Sequence, residues 1–138
     1  MIELKINHMN IEYRYAEPKD VDQVQELFGG FYFYHKKDLL DTIRKQRIIV
    51  SVLGDKVLGL LNIGAKYDKI LMLIVLKEYR GKGIARKLFN FAQILYKTGT
   101  ITIDATEESI IFWETVGFKK TGLFKETKTR KLTNMIYS

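Results

Sequence analysis

Apolar and polar positions alternate from Ile11 to Tyr15, which predicts a short strand. A weaker alternation of Ile2, Leu4 and Ile6 precedes it. Pro18 then opens a helix, because its missing N–H would have had no intrahelical acceptor in a first turn. Val21, Val24, Leu27 and Phe28 share one helical face, and Gly29-Gly30 stops it. After the aromatic stretch Phe31 to Tyr34, Lys36 to Arg47 reads as a second amphipathic helix. Ile48 to Leu53 and Val57 to Ala65 flank Gly54-Asp55-Lys56, a hairpin turn. Tyr67-Asp68-Lys69 leads into Ile70 to Leu76, whose apolar character on both faces predicts a central strand covered from both sides. From Gly83 a helix is expected to about Lys97, with Ile84, Leu88, Phe91 and Leu95 buried. Ile101 to Ala105 reads as a buried strand, Glu107 to Val116 as a helix, and Gly117 as its left-handed stop. Phe118 to Lys125 and Thr129 to Tyr137 close the chain as strands. The order βααβββαβαββ predicts an α/β (α+β) fold, a mixed sheet with helices on both faces.

With 138 residues and neither a repeat nor a linker, one domain over 1–138 is expected. The lack of cysteine removes disulfides, thiolate zinc sites and cysteine nucleophiles together. Two histidines, His8 and His35, argue against a histidine metal centre, so no metal is expected. The longest apolar run, Ile70 to Leu76, is too short to span a bilayer, and the start has no signal-peptide core. A cytoplasmic protein without a membrane association is the expectation. The net charge is +7, of which residues 119–131 carry +5. Such a segment would suit nucleic acid or a phosphorylated ligand; equally, its lysines would solvate the outer face of a terminal hairpin.

The chemistry concentrates between Leu73 and Ala85, where a buried strand runs through Arg80-Gly81-Lys82-Gly83 directly into a helix. Glycines let a backbone approach a ligand closely, and the first N–H groups of a helix point outward without partners. The helix dipole favours an anion there, and Arg80, Lys82 and Arg86 add full positive charges. A diphosphate fits this arrangement. The spacing is neither that of a Walker loop nor that of a dinucleotide GxGxxG.

Arg80-Gly81-Lys82-Gly83-Ile84-Ala85 resembles the R/Q-x-x-G-x-G/A signature of the GCN5-related N-acetyltransferase (GNAT) family. Tyr13 to Asp20 looks like that family's opening strand and first helix start, and Phe112-Trp113-Glu114-Thr115-Val116-Gly117-Phe118 like its last helix. The resemblance implies a mostly antiparallel twisted sheet whose central strands splay apart. It implies acetyl-CoA as acyl donor, with the backbone of Ile74, Val75 and Leu76 pairing with the pantetheine arm. The N–H groups of Gly81, Lys82, Gly83, Ile84 and Ala85 would hold the pyrophosphate, and Arg80, Lys82 and Arg86 would add charge. An N–H at the strand's end, at Val75, would polarise the thioester carbonyl. Thr106 and Ser109 stand in slots that approach the coenzyme, and homodimers are common in the family.

Transfer to a primary amine without cysteine implies direct attack in a ternary complex. The family's usual acid is a tyrosine four residues before the Gly-Phe pair, a position held here by Trp113. An indole N–H donates a hydrogen bond but is no proton-transfer acid, so Trp113 would pack on the pantetheine and water would protonate the thiolate. For the base, Glu26, His35, Asp68, Glu78 and Asp104 are candidates, His35 following the aromatic stretch where the family's acceptor loop lies. Tyr32 and Tyr34 would line that pocket. The expected function is therefore an acetyl-CoA-dependent N-acetyltransferase of a small-molecule, peptide or protein amine. Two alternatives stay open: an enzyme whose amine is borne on nucleic acid such as aminoacyl-tRNA, and a non-catalytic coenzyme A-binding module.

Overall fold

The computed structural model describes residues 10–29, 35–97 and 99–138. The elements are β1 (Glu12–Tyr15), a 3₁₀ turn at Pro18–Asp20, α1 (Val21–Phe28), α2 (Lys36–Arg44), β2 (Ile48–Leu53), β3 (Lys56–Ile63) and β4 (Lys69–Val75). A second 3₁₀ turn (Lys77–Tyr79), α3 (Ile84–Tyr96), β5 (Ile101–Thr106), a third 3₁₀ turn (Glu107–Ser109), α4 (Ile110–Thr115), β6 (Lys119–Glu126) and β7 (Lys131–Tyr137) follow. The seven strands are hydrogen-bonded in the order β1-β2-β3-β4-β5-β7-β6. β1–β2, β2–β3, β5–β7 and β6–β7 pair antiparallel, and β4–β5 pair parallel. This is the mixed, mostly antiparallel sheet expected; the strand expected over 2–6 lies outside the described residues. By contacts the chain forms two compact units, one of residues up to Asn62 with Met72–Leu95, the other of Ile63–Leu71 with Tyr96–Ser138.

In the first unit, α1 and α2 bury Val21, Val24, Leu27, Phe28, Leu39 and Ile43 against Ile48, Val50 and Val52 of β2 and Val57 and Leu60 of β3. The opposite face of β1 carries Tyr13, whose ring meets Phe91 of α3 at 6.4 Å. Helices therefore cover both faces of this part of the sheet. Arg14 donates to both oxygens of the buried Asp20 at 2.7 and 3.1 Å, and the Glu17 N–H donates to the same carboxylate at 2.8 Å. This clamp fastens the end of β1 to the start of α1. Gln23 performs the same service for the β2–β3 turn, donating to the Asp55 carbonyl at 2.9 Å and accepting from the Val57 N–H at 2.8 Å.

Three expectations are corrected. α2 ends at Arg44, not Arg47, because Gln46 adopts φ +57° and turns the chain toward β2. The buried stripe of α3 is Ile84, Leu88, Phe89 and Ala92, while Phe91 and Leu95 are half-buried. β4 is central in strand order, yet only Ile70 and Val75 are buried, and Leu71 to Ile74 are half-buried. Its pairing with β5 is at Lys69↔Thr102 and Ile70↔Ile103.

In the second unit, β5 alternates buried Ile101, Ile103 and Ala105 with half-buried Thr102, Asp104 and Thr106. The helix expected from Glu107 begins as a 3₁₀ turn and becomes α4 at Ile110. α4 stops in a Schellman arrangement: the Phe118 N–H donates to Trp113 O at 2.9 Å and the Gly117 N–H to Glu114 O at 3.1 Å. Gly117 has φ +112°, and a Cβ there would meet the Tyr137 ring at 2.9 Å, so conformation and space both require glycine. β6 is an edge strand exposed along its whole length.

Candidate functional site

The site grows from the end of β4. Strand alternation points the Leu76 N–H toward β3, where it donates to Leu58 O at 2.8 Å, and the Val75 N–H and carbonyl toward the other edge. That Leu76 amide is thus committed within the sheet. The Val75 carbonyl accepts from Arg80 Nε at 2.9 Å.

Beyond the Lys77–Tyr79 turn, Gly81 and Gly83 take φ +77° and +83°, a region costly for residues with a Cβ. Beyond the adjacent residues, nothing lies within 4 Å of an ideal Cβ at either glycine, so the loop is glycine-bearing for its conformation and not for crowding. α3 follows at once, and its first helical bond runs from the Lys87 N–H to Gly83 O at 3.1 Å. The N–H groups of Ile84, Ala85 and Arg86 consequently have no intrahelical acceptor. Half-buried Lys82 and exposed Arg86 and Arg80 surround these donors with positive charge. Chemically, the loop can bind a polyphosphate through backbone donors.

A cavity of about 480 Å³ adjoins the end of β4, bounded by Ile74, Val75 and Leu76 and by Gln23, Glu26 and Leu27 of α1. Lys56, whose ammonium lies 5.2 Å from the Tyr79 ring centre, and Arg80 also line it. Gln23 and Lys56 escaped the sequence reading because their placement depends on how the β2–β3 turn meets α1. Gly59 escaped it too, although a glycine inside an apolar strand signals close backbone approach.

The remaining candidates lie apart in role. His35 is exposed at the N-cap of α2, and Tyr32 and Tyr34 lie outside the described residues. Glu26 and Glu78 are exposed at the cavity. Asp68 is part of a turn, its carbonyl accepting the Thr102 N–H at 2.9 Å. Asp104 is held as a carboxylate by its neighbours. Burial pushes its carboxyl up, but hydrogen bonds from Lys69, Asn134 and Lys125 outweigh this and bring it to about 2. Thr106 and Ser109 bond each other at 3.0 Å across the turn before α4. Trp113 is only 3% exposed, set edge-on between Phe112 and Phe118 with 5.0 Å between ring centres on each side.

The basic hairpin already uses part of its charge within the molecule. Lys125 pairs with Asp104 at 3.2 Å, and the Lys131 ammonium lies 4.5 Å from the Phe124 ring centre. Among the described residues no cluster of acids or histidines could hold a metal ion, and no helix is long and apolar enough to cross a membrane.

Residues 21–138 match the family described as acetyltransferase (GNAT) domain. By sequence, no match to a curated protein is found. Among solved structures the chain is similar to Ard1 of Thermoplasma volcanium, with TM-score 0.77 and 18% identity over 91% of this chain and 95% of that one. It is similar to the PaiA N-acetyltransferase of Thermoplasma acidophilum, solved with coenzyme A, with TM-score 0.73 and 20% identity over 94% and 99% of the two chains. Arabidopsis thaliana Naa50, solved with the bisubstrate analogue CoA-Ac-MVNAL, gives TM-score 0.70 and 20% identity over 93% and 98%. Identities at this level speak for a shared fold.

Proposed function

The chain belongs to the GNAT acetyltransferase family, and from that premise we propose that it moves the acetyl group of acetyl-CoA to a primary amine by direct attack in a ternary complex. The observation that carries this reading is the loop from Arg80 to Ala85, two left-handed glycines delivering the chain into the N-terminus of α3. The space beside Gly81 and Gly83, where a Cβ would meet no protein atom, fits a pyrophosphate held against backbone N–H groups. Coenzyme A in the PaiA structure supports the same ligand class.

Acetyl-CoA supplies a thioester whose carbon bonds the amine nitrogen as the C–S bond breaks and its electron pair leaves on sulfur. One proton leaves the nitrogen and one reaches the thiolate, so the products are an amide and the coenzyme thiol. The Val75 N–H, facing the edge of β4 away from β3, donates to the thioester oxygen, an interaction worth about 3–4 kcal/mol at comparable sites. Arg80 fixes the Val75 carbonyl and presents its remaining N–H groups to the phosphates. Glu26, at the cavity beside Val75, attracts a cationic acceptor. Trp113 packs and does not transfer protons; a thiolate with an ordinary pKa of about 8.5 leaves with water as the proton source.

Calorimetric titration with acetyl-CoA, with desulfo-CoA and ATP as controls, tests the reading. Micromolar binding that is lost in Gly83→Asp, followed by amine-dependent thiol release, is the expected result. No binding up to millimolar acetyl-CoA would overturn it.

A further inference from the structure

Gly59 sits inside β3, where a missing side chain weakens a strand unless the backbone needs the room. An ideal Cβ at this position would lie 2.9 Å from the Ile74 carbonyl oxygen, 3.1 Å from Val75 Cγ2 and 3.2 Å from Ser51 Oγ. The first contact decides the matter, because a backbone oxygen cannot rotate away as a side chain can. The register of β2 against β3 shifts just here: Ser51 pairs with Gly59 and Val52 with Val57, leaving Leu58 as the extra residue of a bulge. Leu58 is also the residue whose carbonyl takes the Leu76 N–H.

The Ile74 carbonyl and the Val75 N–H belong to one rigid trans peptide, so they point in opposite directions. With its oxygen against Gly59, this peptide directs its N–H to the far edge of β4. We propose that Gly59 is a positioning residue for acetyl transfer, letting β3 close on the Ile74–Val75 peptide and so setting the direction of the Val75 N–H toward the thioester oxygen. The inference rests on the acetyl-transfer reading above. A methyl group at residue 59 presses on the carbonyl, and because the peptide is planar the N–H on its other side tilts with it. Gly59 touches no substrate in this account; it acts through Val75.

The test compares wild type, Gly59→Ala, Ser51→Ala/Gly59→Ala and Ile43→Val. Readouts are kcat, KM for acetyl-CoA, Tm, and the Val75 amide resonance in nitrogen–proton spectra of the free protein. Gly59→Ala is expected to lower kcat by roughly tenfold or more, as small misplacements of a transition-state donor do. KM for acetyl-CoA should stay within about threefold, since the pyrophosphate loop is untouched. The Val75 resonance should move before any ligand is added. Ile43→Val, a core change on α2, should lower Tm and keep kcat.

Should Gly59→Ala fail to fold, the double variant removes the contact with Ser51 Oγ while keeping the conflict with the Ile74 carbonyl, and the same loss of kcat is expected of it. A folded Gly59→Ala or double variant with wild-type kcat, or with an unmoved Val75 resonance, overturns the inference alone. A loss of kcat in Ile43→Val that matches Gly59→Ala at equal Tm also overturns it, since the effect would then be general destabilisation. A wild-type chain without acetyl-CoA turnover overturns the acetyl-transfer reading and this inference with it.

Discussion

The side chain of Arg80 donates through Nε to the carbonyl of Val75 at 2.9 Å, tying the base of the glycine loop to the last residue of β4. A guanidinium anchored by one N–H keeps its other donors for an anion, in an orientation set by its plane. Arg80→Lys retains the charge but loses the planar anchor. Its Kd for acetyl-CoA is expected to rise roughly tenfold, about the worth of one charge-assisted hydrogen bond, with a smaller change in kcat. Calorimetry checks this, and unaltered affinity would show the Val75 contact to be incidental.

Gly83 and Gly54 separate conformational strain from ligand contact. Both have positive φ, +83° and +61°, and beyond the adjacent residues neither has anything within 4 Å of an ideal Cβ. Alanine at either position should therefore cost a similar ~1–2 kcal/mol of stability from backbone strain. Only Gly83→Ala places its methyl in the proposed pyrophosphate space, so only it should weaken acetyl-CoA binding, by more than about tenfold. Thermal unfolding together with calorimetry tests the pair. Equal binding by the two variants would remove Gly83 from the site.

Trp113 carries a different expectation. Its burial between Phe112 and Phe118 makes it a packing residue, so Trp113→Phe should lower stability by about 1–3 kcal/mol through lost volume. Because neither indole nor phenyl transfers a proton, kcat should hold within about threefold. A fall of about 100-fold or more would return Trp113 to the proton chemistry. Trp113→Tyr reads the other side: turnover above that of Trp113→Phe would mean that proton delivery to the thiolate limits the wild type.

The elements were legible where punctuation is local. Pro18, Gly29, Gly54 and Gly117 mark turns and helix ends that the structure places where the residue types predict. Gln46, with φ +57°, gives no such signal, and the sequence pattern accordingly runs α2 on to Arg47. The observed α3 stripe differs from the expected one because Ile84, Leu88, Phe89, Phe91, Ala92 and Leu95 are all apolar, and only packing chooses among them. The glycine loop was legible for the same local reason, its donors and charges being consecutive in the chain. Gly59, the Gln23 clamp and the Arg80–Val75 bond were not, since each depends on which backbone atoms neighbouring strands and turns bring near.

Asp104 shows the same limit and supplies a pH test. Its partners Lys69, Asn134 and Lys125 come from three other strands, at 2.7, 3.0 and 3.2 Å. Burial raises its pKa, the three hydrogen bonds lower it further, and the result is about 2 in the folded chain. In the unfolded chain the ordinary aspartate value of about 3.9 applies. A depressed folded pKa means stability that is complete above the unfolded value and lost as pH falls through the folded one. Asp104 should therefore contribute about 1–2 kcal/mol at neutral pH, fading between pH 4 and 2. Lys125 is two-thirds exposed and contributes little of this; Lys69 and Asn134 hold most of it. Asp104→Asn keeps the shape but leaves Lys69 without its counter-charge, so it should lower Tm at neutral pH and flatten the decline of stability between pH 4 and 2. Urea unfolding at a series of pH values measures both. An unchanged slope in Asp104→Asn would mean that the acid sensitivity resides elsewhere, and the Arg14–Asp20 clamp, whose carboxylate is also held below its ordinary value, would be the next to test.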